Sequence, residues 1–86
     1  MKIKFHRHFK KVYQKLPLKH RTQVDSALKL FQEDPHHPDL YNHALKGNLK
    51  GKRSIAAGFD LRIIFEVEGD YVLVIFLALG AHEKVY

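Results

Sequence analysis

Residues Tyr71 to Gly80 read Tyr-Val-Leu-Val-Ile-Phe-Leu-Ala-Leu-Gly. A half-exposed strand alternates apolar and polar side chains, and this run does not. It therefore reads as a strand covered on both faces or central in its sheet. A buried helix tolerates the same run, but Gly69-Asp70 before it and Gly80 after it favour a short, bounded strand. Polar chemistry begins directly beyond, at His82. A rigid strand that ends by presenting a histidine is a good mount for a site.

The rest of the chain supplies what such a strand must pair with and pack against. Arg53 to Ala57 reads as a short strand, and Gly58-Phe59 as a turn. Leu61, Ile63, Phe65 and Val67 then share one face, with Asp60, Arg62, Ile64 and Glu66 on the other. Glu68-Gly69-Asp70 makes a hairpin into the Tyr71 strand. At the start of the chain, Lys2 to Phe5 alternates, as an edge or second strand does. The period changes at His6: Phe9, Val12, Tyr13 and Leu16 form a helical stripe, with His6, Arg7, Lys10, Lys11 and Lys15 around it. Pro17 ends that helix. A second helix runs from Pro17 or Leu18 to Glu33, on a stripe of Val24, Ala27, Leu28 and Phe31 widened by Leu30, until Asp34-Pro35 stops it. The expected fold is α+β: an N-terminal strand and a two-helix antiparallel hairpin packed on a mostly antiparallel sheet that ends in a three-strand meander. The face away from the helices is left for a site. At 86 residues the chain has length for one core, so a single domain spanning 1–86 is expected.

Residues 34–52 hold Pro35, Pro38, Gly47 and Gly51, and are long for an unstructured connection; such loops often carry function. Leu45 and Leu49 are expected to pin this loop to the body. The absence of cysteine excludes disulfides and thiolate metal sites, and suits a reducing, cytoplasmic setting. Met1 to Phe5 runs straight into charge, so no secretory leader is expected, and the longest apolar run is too short to span a membrane. A formal charge of +6 points to a polyanion or an acidic protein as partner, although a basic surface also serves solubility.

The chemistry-bearing residues cluster on paper. Asp60 and Arg62 are expected together on the helix-free face, His82 on the neighbouring strand, and His43, Lys46, Lys50, Lys52 and Arg53 in the loop or at its exit. Tyr86 closes the sequence. Two imidazoles, a carboxylate, several cations and an aromatic, without thiol or metal cage, suit metal-free cleavage of RNA. There the ribose 2′-hydroxyl attacks phosphorus, a base takes its proton, an acid protonates the departing 5′-oxygen, and cations hold the charge on the phosphorane. Arginine matches phosphate oxygens with a planar fork, and a tyrosine can stack on a base. Each residue also has a plainer use: His43 as a loop histidine tied to backbone, His82 as a strand cap, Asp60 as a turn residue, Arg62 paired with Glu66, Tyr86 as packing. His36 and His37 are adjacent between prolines and read as solvated loop residues rather than metal ligands. His6, His8 and His20 fall on polar helix faces with no specific task.

Taken together, Leu45-Lys46-Gly47, Arg62-Ile63-Ile64-Phe65-Glu66-Val67 and the terminal Leu79-Gly80-Ala81-His82-Glu83-Lys84-Val85-Tyr86 resemble the RelE superfamily of bacterial toxins, most of all its YafQ-type branch. The resemblance covers essentially the whole chain. It implies a RelE/ParE-like fold, ribosome-dependent cleavage of mRNA in the 30S decoding site, no cofactor, and neutralisation by a cognate antitoxin with an acidic segment. By position it makes His82 the general acid, Asp60 a general-base candidate, His43 the loop histidine, Arg62 a phosphate holder and Tyr86 the aromatic that places the scissile nucleotide. Arg53 stands where other members carry a basic residue. The sequence departs from the pattern at Ala56, where YafQ-like toxins have a second histidine, and at Ala44 and Ala81, which replace a proline and a threonine. Two other functions fit the same residues: a ParE-like topoisomerase inhibitor of the same fold, and a basic module that binds RNA without cutting it.

Overall fold

The computed structural model describes residues 1–81 and Val85. Five strands form one sheet in the order β1-β5-β4-β3-β2, where β1 is Lys2–Phe5, β2 His43–Ala44, β3 Arg53–Ala57, β4 Leu61–Glu68 and β5 Leu73–Ala81. Helices α1 (Arg7–Lys15) and α2 (Leu18–Glu33) pack on one face. All pairings are antiparallel except β1 with β5, which is parallel. That exception follows from the chain path. The helical hairpin and the meander lie between β1 and β5, and a parallel pair needs such a long crossover. Among the described residues no helix is long and apolar enough to cross a membrane.

The helix-side core is built where the alternation placed it. Leu61, Ile63 and Phe65 of β4 are buried with Ile55 and Ala57 of β3 and with Val24, Ala27 and Phe31 of α2. Phe31 meets Phe65 edge-on at 5.1 Å and Phe76 at 5.4 Å, and Phe76 is flanked by Phe5 and Phe9. Offset and edge contacts of this kind add about 0.5–1.5 kcal/mol per pair beyond area burial.

β5 departs from the expectation in two ways. It begins at Leu73, because Tyr71 takes a left-handed conformation (φ +62°) in the turn before it. It is also second from the edge, not central. Ile64 pairs with Ala78 but Phe65 pairs with Phe76, so Leu77 is an extra, bulged residue. Val74, Phe76 and Leu79 consequently all point into the core although 76 and 79 are three apart. The bulge thus removes the period-two signal.

The loop before β3 is more ordered than its composition suggests. It holds two single-turn helices, Pro38–Leu40 and Gly47–Leu49, and the two-residue strand β2 on the sheet edge. Its deepest anchor is Leu40, fully buried in the core, whereas Leu45 and Leu49 are only half-buried.

Candidate functional site

Register decides which side chains share the helix-free face. His43 stands opposite Ser54, Ser54 opposite Ile64, and Ile64 opposite Ala78. One step along, Ala56 stands opposite Arg62 and Arg62 opposite Gly80. His43 and Arg62 therefore lie on the same face, two strands and two residues apart. That places their Cα atoms on the order of 12 Å from each other, a gap that long side chains and one phosphate can bridge. Ala56, where YafQ-like toxins have their second histidine, lies between them. The face is not wholly open, since Ser54, Ala56 and Ile64 are buried on it.

The imidazole of His43 is exposed, and its Nδ1 lies 2.7 Å from the Tyr41 carbonyl oxygen. A carbonyl only accepts, so Nδ1 carries the proton and donates. In the neutral ring Nε2 is then the bare, outward nitrogen. Tyr41 adopts φ +50° at the end of the Pro38–Leu40 turn, which aims its carbonyl at the ring. Arg62 is half-buried. One of its amino groups donates to the Leu61 carbonyl at 2.8 Å and to the Phe59 carbonyl at 3.2 Å. Its remaining N–H groups make no hydrogen bond to a described residue and can take up a phosphate oxygen. Arg62 does not pair with Glu66. That carboxylate faces Lys52, 3.6 Å from its Nζ. Lys46 and Lys50 are exposed on the loop beyond β2.

Two residues stand elsewhere than the sequence suggested. Asp60 is not on the face of Arg62. It lies in the turn before β4, with its carboxylate 3.1 Å from Nε2 of His20 on α2. The alternation could not reach it, because the strand starts one residue later, and His20 is not idle as its polar helix face implied. Arg53 shares its face with Ile55 and Phe65, toward the helices, and its Nε donates to the Asn42 side-chain oxygen at 2.8 Å. Arg53 is thus engaged inside the fold and is not a free cation on the site face. His82 and Tyr86 lie outside the described residues.

Sequence reasoning missed Asn42. Its amide nitrogen donates to the Pro35 carbonyl and to the Tyr71 hydroxyl, both at 2.9 Å, while its oxygen accepts from Arg53. One side chain thereby ties the loop to β3 and to the β4–β5 turn, immediately before His43. Nothing in its spacing signals this, because its partners are 7 to 29 residues away. Three further histidines have structural tasks. His6 caps α1 by accepting from the His8 amide, His37 caps the Pro38–Leu40 turn, and the His36 ring meets Tyr71 edge-on. Among the described residues no group of three or more histidines and carboxylates is placed to hold a metal ion.

Among the described residues, the one clear shift in acidity lies far from this face. Tyr13 donates its hydroxyl proton to Asp25 at 2.7 Å. That bond, then burial, then the Asp25 charge raise the phenol above its ordinary value.

Comparison with known proteins agrees with this fold. No curated protein matches the sequence. Among solved structures, YafQ from E. coli strain BL21(DE3) superposes with a TM-score of 0.76 at 20% identity, covering 98% of this chain and 96% of that one. The conserved hypothetical protein HP0894 from Helicobacter pylori gives 0.72 at 27% identity, over 100% and 99% of the two chains. The toxin–antitoxin complex RelBE2 from Mycobacterium tuberculosis gives 0.74 at 17%, over 94% and 96%. The family model described as the bacterial toxin of type II toxin–antitoxin systems, YafQ, matches residues 1–86. The chain belongs to the YafQ family of type II toxin–antitoxin toxins.

Proposed function

We propose that this toxin is a metal-free endoribonuclease that cuts mRNA on the ribosome, with the helix-free sheet face as its active face. The observation that carries the reading is the pairing of two groups there. His43 has its Nδ1 proton committed to the Tyr41 carbonyl and its Nε2 bare, and Arg62 has guanidinium donors that bond to no described residue. A 2′-hydroxyl needs a proton acceptor of the first kind, and a phosphorane needs a cation of the second. Asp60 is bonded to His20, which leaves His43 as the better-placed base. Asp60 then keeps a supporting role in fixing the turn beside Arg62. The family resemblance assigns the acid to His82 and the terminal aromatic to Tyr86. The exposed Lys46 and Lys50 extend the positive surface beyond His43, along the path of an RNA strand.

The partners follow from charge and family. A basic toxin suits an antitoxin with an acidic segment that folds as it binds, and the site of action is cytoplasmic. The test is primer extension on mRNA bound to purified ribosomes and exposed to the protein, with His82→Ala and His43→Gln alongside. New 5′ ends that appear with the wild type and fade in both variants support the reading. Intact mRNA with DNA damage in growing cells would replace it with topoisomerase inhibition. Binding that weakens steeply with salt and yields no cut would replace it with the RNA-binding module.

A further inference from the structure

We infer that Phe59 is a stacking platform for one base of the bound RNA, and so a further substrate-binding residue of the proposed nuclease site. The inference rests on that functional reading and deepens it. Phe59 sits in the turn between β3 and β4 with 101% of its reference surface exposed, so its ring packs on nothing. Turn positions favour Gly, Asn, Asp and Ser for reasons of backbone chemistry, and none of those reasons calls for a phenyl ring.

The mount of this ring is rigid. Gly58 is left-handed (φ +75°), and a Cβ there would come within 3.0 Å of the Gln23 side chain on α2. Asp60, on the other side of Phe59, is bonded to His20, also on α2. The Phe59 carbonyl itself accepts from Arg62. The backbone that carries the ring is therefore tied to α2 through Asp60 and to the site arginine through the Phe59 carbonyl, and Gly58 lies close against Gln23 of α2. With the backbone held this way, a base that lands on the ring has only the side chain's own rotation to fix. A phosphate on the Arg62 donors that bond to no described residue brings the adjoining base to the same turn. Bases of single-stranded RNA are recognised on such aromatic faces, whatever their identity, because every base has a π-face.

The chain contains no tryptophan, so Phe59→Trp introduces a sole reporter. The experiment titrates this variant with a single-stranded RNA oligonucleotide made uncleavable by 2′-O-methylation, free and on ribosomes. It measures the affinities of the wild type and of Phe59→Ala, →Leu and →Tyr in parallel. Because the ring is unpacked, all variants should unfold at the wild-type temperature. Stacking predicts quenched tryptophan emission at saturation, wild-type affinity for Tyr, and an affinity about 5- to 150-fold weaker for Ala and Leu alike. Leu binding as well as Phe, Ala binding as well as Phe, or unquenched emission at saturation each overturns the inference while leaving the nuclease reading intact. A wild type that binds no RNA, free or on ribosomes, overturns both.

Discussion

Asn42→Ala should loosen the loop that carries His43 without dismantling the sheet. The substitution deletes two donated hydrogen bonds and one accepted, to Pro35, Tyr71 and Arg53, and it leaves the Arg53 Nε without its partner. At about 0.5–1.5 kcal/mol per bond the sum is roughly 1.5–4.5 kcal/mol. All three sit at partly buried positions that water can enter, so the expected cost is in the middle, about 2–3 kcal/mol. Tyr71→Phe removes only one of the three and should cost about 1 kcal/mol. The double variant then shows coupling of about 0.5–1.5 kcal/mol, because Tyr71 loses nothing further once Asn42 is gone. Urea unfolding of the four proteins measures these values. For a domain of this size the Asn42→Ala loss lowers the melting temperature by roughly 10–20 °C. Hydrogen exchange should quicken in residues 34–46 before it does in β4 and β5. A cost below about 0.5 kcal/mol, or loss of protection spread evenly over the sheet, would show that Asn42 is not what holds this loop.

His43→Gln should retain stability, since the ring is exposed, but lower single-turnover mRNA cleavage on ribosomes by on the order of a hundredfold or more; unchanged cleavage would move the base elsewhere. Phe76→Ala should cost about 3–5 kcal/mol in urea unfolding, because Phe76 is fully buried and touches Phe5, Phe9, Phe31 and Phe65. The Tyr13 phenol is raised above its ordinary value, so its bond to Asp25 contributes in full below about pH 10 and is lost as pH rises through the raised value. Tyr13→Phe should therefore be less stable than wild type at pH 8 by at most about 1 kcal/mol, the pair being open to solvent. Unfolding followed as pH rises above 10 should bring the two proteins together; a gap that widens there contradicts the assigned cause.

The strands and helices were legible because each carries its own period. Phe9, Val12, Tyr13 and Leu16 repeat with the turn of a helix, and Leu61, Ile63 and Phe65 with the pleat of a strand. Both sets are buried or half-buried where the repeat placed them. The period failed at Leu77. There one extra residue shifts the parity of β5, and the unbroken apolar run of that strand looked like coverage on both faces. β2 was not legible because two residues carry no period at all. It exists because Leu40 is buried and Asn42 is bonded, which brings His43 and Ala44 alongside β3.

The site was legible only as far as strand parity reaches. Arg62 and His43 share a face because each lies inside a paired strand, where register converts sequence position into direction. Asp60 falls just outside β4, where a turn sets direction instead, and its partner His20 is forty residues away. Arg53 lies inside β3, and parity sends it to the helix side, a consequence that its kinship with the neighbouring lysines concealed. These two displacements have the same effect on the chemistry. Each removes a charged group from the candidate face by giving it a partner within the fold. In the proposed nuclease, Arg62, whose guanidinium is held at one amino group among the described residues, would be the sheet's own phosphate ligand, and His43, whose tautomer is set by a carbonyl rather than a carboxylate, its proton acceptor. A histidine oriented by a neutral carbonyl gains less stabilisation of its protonated form than one backed by a carboxylate. For the proposed reaction this predicts that a larger part of the catalytic effect comes from the cations around the phosphate than from the base.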